Sequence, residues 1–117
     1  MKRLQPDEGF TLVELMTVVL IIGILVAIAV PVFNAARSSA QQKTCFANQR
    51  TLEGAAVNYS SQYGSYPAAG TVNATHPLVA NGFVKSPPTC PLGGQQYAMD
   101  ASGTVTAASL TCGHGHY

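Results

Sequence analysis

The sequence predicts an α+β chain: one long N-terminal helix, its first half transmembrane, followed by a small C-terminal antiparallel β-region. Three observations carry that prediction. From Leu15 to Phe33 there is no charged residue, and only Thr17, Gly23 and Pro31 interrupt the apolar or helix-favouring run. Beyond it, a stripe of residues repeats at helical spacing as far as Tyr63. After Pro67, short β-prone runs alternate with turn residues, the pattern of a small sheet. The whole chain is 117 residues, which fits the ~100–200 of one domain.

The first element is long enough to cross a bilayer. Extending it back to Phe10 adds Thr11 and Glu14 and gives about 24 residues, or ~36 Å of helix against a hydrocarbon core of ~30 Å. A buried helix of a soluble core is the competing reading. The remaining sequence is too short and too polar to surround an all-apolar helix, which favours the membrane. Lys2 and Arg3 precede the span, while Arg37, Lys43 and Arg50 follow it, so the positive-inside rule alone does not orient it. A short polar stub before the span and a folding region after it predict N-terminus inside, C-terminus outside.

A secretory signal has a core of ~7–15 residues and a small-x-small cleavage site after it. Here the span is longer, and Asn34-Ala35-Ala36-Arg37-Ser38 is a poor match. The distinctive run lies before the span: Lys2-Arg3, then Gly9-Phe10-Thr11-Leu12-Val13-Glu14, then the apolar stretch. It resembles the processing site of type IV prepilins and type II secretion pseudopilins. The similarity continues through Leu15-Met16 and Ile21 to Ile28, with Pro31 where a kinking proline commonly stands in that family. The resemblance covers about the first 35 residues closely. It implies a pilin-like fold, a leader of residues 1–9, and cleavage between Gly9 and Phe10 by a prepilin peptidase. It further implies N-methylation of Phe10 and export by inner-membrane assembly machinery. The product would be a homopolymer with other pilin subunits, a surface filament.

Glu14 draws attention on physical grounds as well. A carboxylate costs ~2.5–3.5 kcal/mol at the bilayer centre and less near its edge, so intramembrane charges usually have partners. Either Glu14 sits near enough to the interface to stay wet, or it pairs with the new amino group of Phe10, most simply on a neighbouring subunit. The motif around it favours pairing, and so an assembly role.

Residues 34–64 continue the helix. Cys45, Asn48/Gln49, Leu52, Ala55/Ala56, Tyr59 and Tyr63 form one stripe, Gly64 is the expected C-cap, and Pro67 forbids continuation. Bends are expected near Gly23 and Pro31. Residues 65–117 must cover the stripe. Thr75 is the expected cap of a turn from His76 to Asn81, ended by Gly82, with Phe83 packing inward. Gln95 to Met99 and Thr104 to Ala107 flank Asp100-Ala101-Ser102-Gly103 as a hairpin, and a further strand is expected over Ser109 to Cys112.

Cys90 and Cys112 bracket that hairpin and are the preferred disulfide; closing a loop of about 20 residues stabilises by ~3 kcal/mol in the chain-entropy model. A staple from Cys45 to either of them is the alternative, and the connectivity stays open. The run Cys90-Pro91-Leu92-Gly93-Gly94, with Cys112 and His114, also resembles the C-terminal region of some pilin subfamilies. Cys112-x-His114-x-His116 does not have the spacing of a recognised zinc site, so no metal or cofactor is expected. Asn58-Tyr59-Ser60 and Asn73-Ala74-Thr75 fit the glycosylation pattern, a triplet frequent by chance.

The remaining composition excludes other classes. Only 9% of residues are charged, far below the ~25% of soluble domains, which suits a surface packed beside copies of itself. A net charge of +1 gives no field to attract nucleic acid. Tyr59, Tyr63 and Tyr66 offer rings for stacking bases, with Arg50 and Lys85 as the upper cations, so a DNA-binding pilin is a second, less favoured reading. No nucleophile, base and acid stand at a catalytic spacing, and no enzyme is expected.

Overall fold

The computed structural model describes residues 9–107, and the chain divides into two units, 1–36 and 37–117. A single helix, α1, runs over Leu12–Tyr63, 52 residues. It begins two residues after the Phe10 start that hydropathy set and ends at Tyr63, just before the expected Gly64 cap. In the first unit, every residue of α1 is exposed, including Leu20, Ile24, Ile28 and Phe33. Among the described residues, no other part of the first unit covers this apolar surface. The Thr17 hydroxyl donates to the Val13 carbonyl at 2.8 Å, so the one polar side chain of the run is satisfied by its own helix. Neither Gly23 nor Pro31 ends α1, although Pro31 has no N–H to offer the carbonyl of Ala27.

The second unit has a core. Cys45, Gln49, Leu52, Ala55 and Ala56 lie on the buried stripe of α1, spaced three and four apart as expected for one helix face. All of these but Gln49 pack in one core with Val72, Leu78, Cys90, Tyr97, Met99 and Val105. Tyr63 departs from the expected stripe: it is exposed, and its ring stacks on Tyr59 at 4.5 Å, with Phe83 edge-on to both. Gly64 then takes φ +77°, and its N–H donates to the Ser60 carbonyl at 2.8 Å, ending the helix.

Three short strands form an antiparallel sheet in the order β1-β2-β3: β1 is Gly70–Thr71, β2 is Tyr97–Met99 and β3 is Val105–Ala107. Gly70 pairs with Met99, and Met99 with Val105. The hairpin therefore has the expected turn, with strands trimmed at Gln95 and Thr104. Its loop is organised by Asp100, whose Oδ1 accepts the Ser102 hydroxyl at 2.7 Å and the N–H groups of Ser102 and Thr104 at 2.9 Å each. These bonds, the Ser102 hydroxyl first, hold the Asp100 carboxyl below its ordinary range. Gly103 is required twice over: its φ is +82°, and a Cβ there would lie 2.6 Å from Cδ1 of Tyr66.

The sheet is joined to α1 by polar contacts. Glu53 Oε1 accepts the Val105 N–H at 3.0 Å. The Tyr97 phenol receives Asn48 Nδ2 at 3.3 Å and donates to the Cys45 carbonyl at 3.5 Å. Burial, then the neighbouring Cys45 side chain, pushes this phenol up to about 12.

Between β1 and β2 lies α2, Pro77–Ala80, and here one expectation fails. Its N-cap is His76, not Thr75. His76 is buried, and its Nδ1 accepts the Leu78 N–H at 3.3 Å while Nε2 contacts the Ala68 carbonyl at 3.2 Å. The Thr75 hydroxyl instead donates to Asn73 Oδ1 at 2.7 Å, closing a turn one residue before the cap. The strand expected over Ser109 to Cys112 lies outside the described residues.

Candidate processing and assembly site

The residues at the start of α1 form a compact arrangement. Gly9 and Phe10 precede the helix and are exposed, Phe10 to 94%. A Cβ built on Gly9 meets nothing within 4 Å. The Gly9–Phe10 peptide bond thus lies outside the helix.

Thr11 and Glu14 then cap the helix reciprocally. The Thr11 hydroxyl accepts the Glu14 N–H at 3.2 Å, and Glu14 Oε2 accepts the Thr11 N–H at 3.0 Å. This is a capping box, which satisfies two of the N–H groups every helix start leaves without partners. Thr11-x-x-Glu14 has the spacing of that box, so the signal was present in the sequence; attention to the charge of Glu14 passed over its hydrogen bonding. The carboxylate is also the acid in the first turn of α1, where the helix dipole favours negative charge. The structure therefore holds the Glu14 carboxylate against the N–H of Thr11, the residue that follows Phe10.

Downstream of the box, Leu15, Val19, Ile22 and Val26 belong to an apolar surface facing outward on all sides. The start of α1 thus brings together an exposed Gly-Phe pair, a carboxylate at the helix start and an exposed apolar helix.

Comparison with known proteins agrees with this arrangement. The family described as the prokaryotic N-terminal methylation motif matches residues 5–30. The chain is 30% identical to the type II secretion system core protein G of Vibrio cholerae, over 94% of this chain and 84% of that protein. It is 36% identical to the type IV narrow pilus major component PilA5 of Thermus thermophilus, over 89% of this chain and 69% of that protein.

The chain belongs to the type IV pilin and pseudopilin family.

Its similarity to the fimbrial protein EcpC of Eikenella corrodens is 39% over 62% of this chain, and the chain spans 52% of that protein. No solved structure matches the chain. The apolar start of α1 is long and hydrophobic enough to cross a membrane, which supports a membrane-anchored chain.

The remaining sequence-predicted sites fall in the second unit. Cys90 is disulfide-bonded, and Cys45 is a buried free thiol. Cys112, the expected partner of Cys90, lies outside the described residues, as do His114 and His116. Among the described residues no cluster of three His, Cys, Asp or Glu side chains could hold a metal. The rings of Tyr59 and Tyr63 are stacked on each other and against Phe83, while Tyr66 lies over Gly103.

Proposed function

We propose that this pilin is made as a membrane-anchored precursor, N-terminus cytoplasmic and C-terminus outside, and is cut between Gly9 and Phe10 by a prepilin peptidase. Phe10 is then N-methylated, and inner-membrane assembly machinery adds the subunit to a filament of its own copies and other pilins. Glu14 pairs with the Phe10 amino group of an adjacent subunit. The observation that carries this reading is the first half of α1: exposed and apolar throughout, with one carboxylate set at its start. Such helices exchange lipid contacts for close van der Waals contacts with one another. A head-to-tail contact that does not close gives an open helical polymer. Gly23 and Pro31 are the positions where α1 bends most readily as it packs into that polymer.

Immunogold labelling of the surface of its own cells tests the reading, with label expected along whole filaments. Label confined to the envelope would point to the secretion-system alternative. The similarity to core protein G over 84% of that protein favours keeping that alternative as the second reading. DNA uptake is less favoured, because two of the three candidate stacking rings pack together within the unit.

In the exported region, Cys90 pairs with Cys112 in our reading. Its support is that Cys90 is bonded while Cys45 keeps its thiol inside the core. Non-reducing peptide mapping should recover a linked Cys90–Cys112 pair; a linked peptide containing Cys45 would overturn that connectivity.

A further inference from the structure

Two Asn-x-Ser/Thr triplets remain unused by the filament reading, and the fold treats them differently. Asn58 lies within α1, and the Ser60 hydroxyl donates back to the Val57 carbonyl at 2.8 Å. Residues two apart on a helix do not face each other, so the Ser60 hydroxyl does not meet the Asn58 carboxamide unless the helix unwinds there. Asn73 lies instead in the loop between β1 and α2. Its Oδ1 accepts both the Thr75 N–H at 3.0 Å and the Thr75 hydroxyl at 2.7 Å. Ala74 and Thr75 are exposed, Asn73 is half-buried, and among the described residues its Nδ2 has no hydrogen-bond partner.

This contact has a chemical consequence. An amide nitrogen is a poor nucleophile because its lone pair is delocalised onto oxygen. Hydrogen bonds to that oxygen draw electron density from the nitrogen and make its N–H easier to deprotonate. The Thr75 hydroxyl and N–H both donate to the oxygen of Asn73, leaving the nitrogen as the open end of the group.

We propose that Asn73 is a glycosylation site, taking an oligosaccharide from a donor activated as a lipid diphosphate. In the transfer, Asn73 Nδ2 bonds to the anomeric carbon as the bond from that carbon to the diphosphate oxygen breaks. The lipid diphosphate leaves with the electron pair, and the amide proton passes to a base of the transferase. Both the donor and the transferase are external to this chain, and no oxidation is involved. The proposal rests on the export reading above, since it needs residues 65–117 on the outer face. A glycan there adds bulky, solvated surface to a region poor in charge.

The test uses the full chain from its own cells, followed by glycopeptide mapping. Wild type and Asn58→Gln should carry the glycan on the Asn73 peptide. Asn73→Asp, which keeps the turn's acceptor oxygen and removes the nucleophile, should lose it completely. Thr75→Ala should lose it, while Thr75→Ser should retain it. Protease added to cells whose outer envelope has been opened reads the export independently. A bare Asn73 on wild-type chains that this protease reaches would overturn the glycan and leave the export reading standing. Chains beyond the protease's reach would overturn the export reading and the proposal with it. A glycan that persists in Asn73→Asp would place it elsewhere and overturn the assignment.

Discussion

Gly9→Val should leave the pilin in the membrane at precursor length, with no detectable chain beginning at Phe10. The expectation is strong because the substitution has nothing to disturb in the chain itself. Gly9 precedes α1, and an added Cβ meets nothing within 4 Å. The N–H groups of Thr11 and Glu14 are already satisfied by each other's side chains. A loss of processing is therefore a loss of recognition by the peptidase, which needs the main chain to approach its catalytic groups closely beside the cut bond. Terminal sequencing and the size of the membrane-bound chain check it. A mature chain beginning at Phe10 in normal amount would show that the peptidase tolerates a branched side chain there. A wild-type chain beginning at Met1 or Ala36 would remove the cleavage site from Gly9–Phe10 altogether.

What was legible beforehand depended on how local each signal is. The apolar span is a property of composition over one stretch, so its place and exposure could be read directly, while Gly64 and Pro67 marked the end of α1 at Tyr63. The buried face of α1 followed from spacing, and Gln49 is buried on it because its position on that face outweighs its polarity. The Asp100 hairpin was equally local: a carboxylate and two hydroxyl residues close the loop within five positions. By contrast, β1 has only two residues, and nothing in Gly70-Thr71 itself marks a strand. It exists because Ala98 and Met99 offer a free ladder edge. The bond from Val105 to Glu53 joins residues 52 apart, which no local pattern encodes. The error at Thr75 has a different origin. Thr75 belongs to a turn that starts earlier: its hydroxyl donates to Asn73, two positions before it, and the helix begins one residue later. A buried histidine then caps α2 through a ring nitrogen, a role that propensity for Ser, Thr, Asn and Asp does not suggest.

Glu14→Gln should separate assembly from anchoring, and the capping box sharpens what it reports. A glutamine at this position of the box caps as a glutamate does, because its amide oxygen accepts the same N–H. The Thr11 N–H therefore keeps its partner, and α1 keeps its start. Only the charge is lost. For a protein that is merely anchored, that change removes a carboxylate whose insertion costs at most ~2.5–3.5 kcal/mol, so membrane content should hold or rise slightly. Cleavage at Gly9–Phe10 should also proceed, since that bond lies outside the helix. For a polymerising subunit the outcome differs. The ammonium of Phe10 on the adjacent copy enters an apolar bundle without its counter-charge, and breaking a buried pair costs ~3–5 kcal/mol. That corresponds to subunit addition weakened roughly a hundredfold to a few thousandfold. Membrane content and sheared surface filaments should be measured side by side in cells lacking the wild-type copy, with Glu14→Ala as a third strain. Glu14→Ala loses the cap as well as the charge, so a defect shared equally by both variants traces to the charge. Filaments lost in Glu14→Ala but normal in Glu14→Gln would assign the residue to capping its own helix and remove it from the contact between subunits.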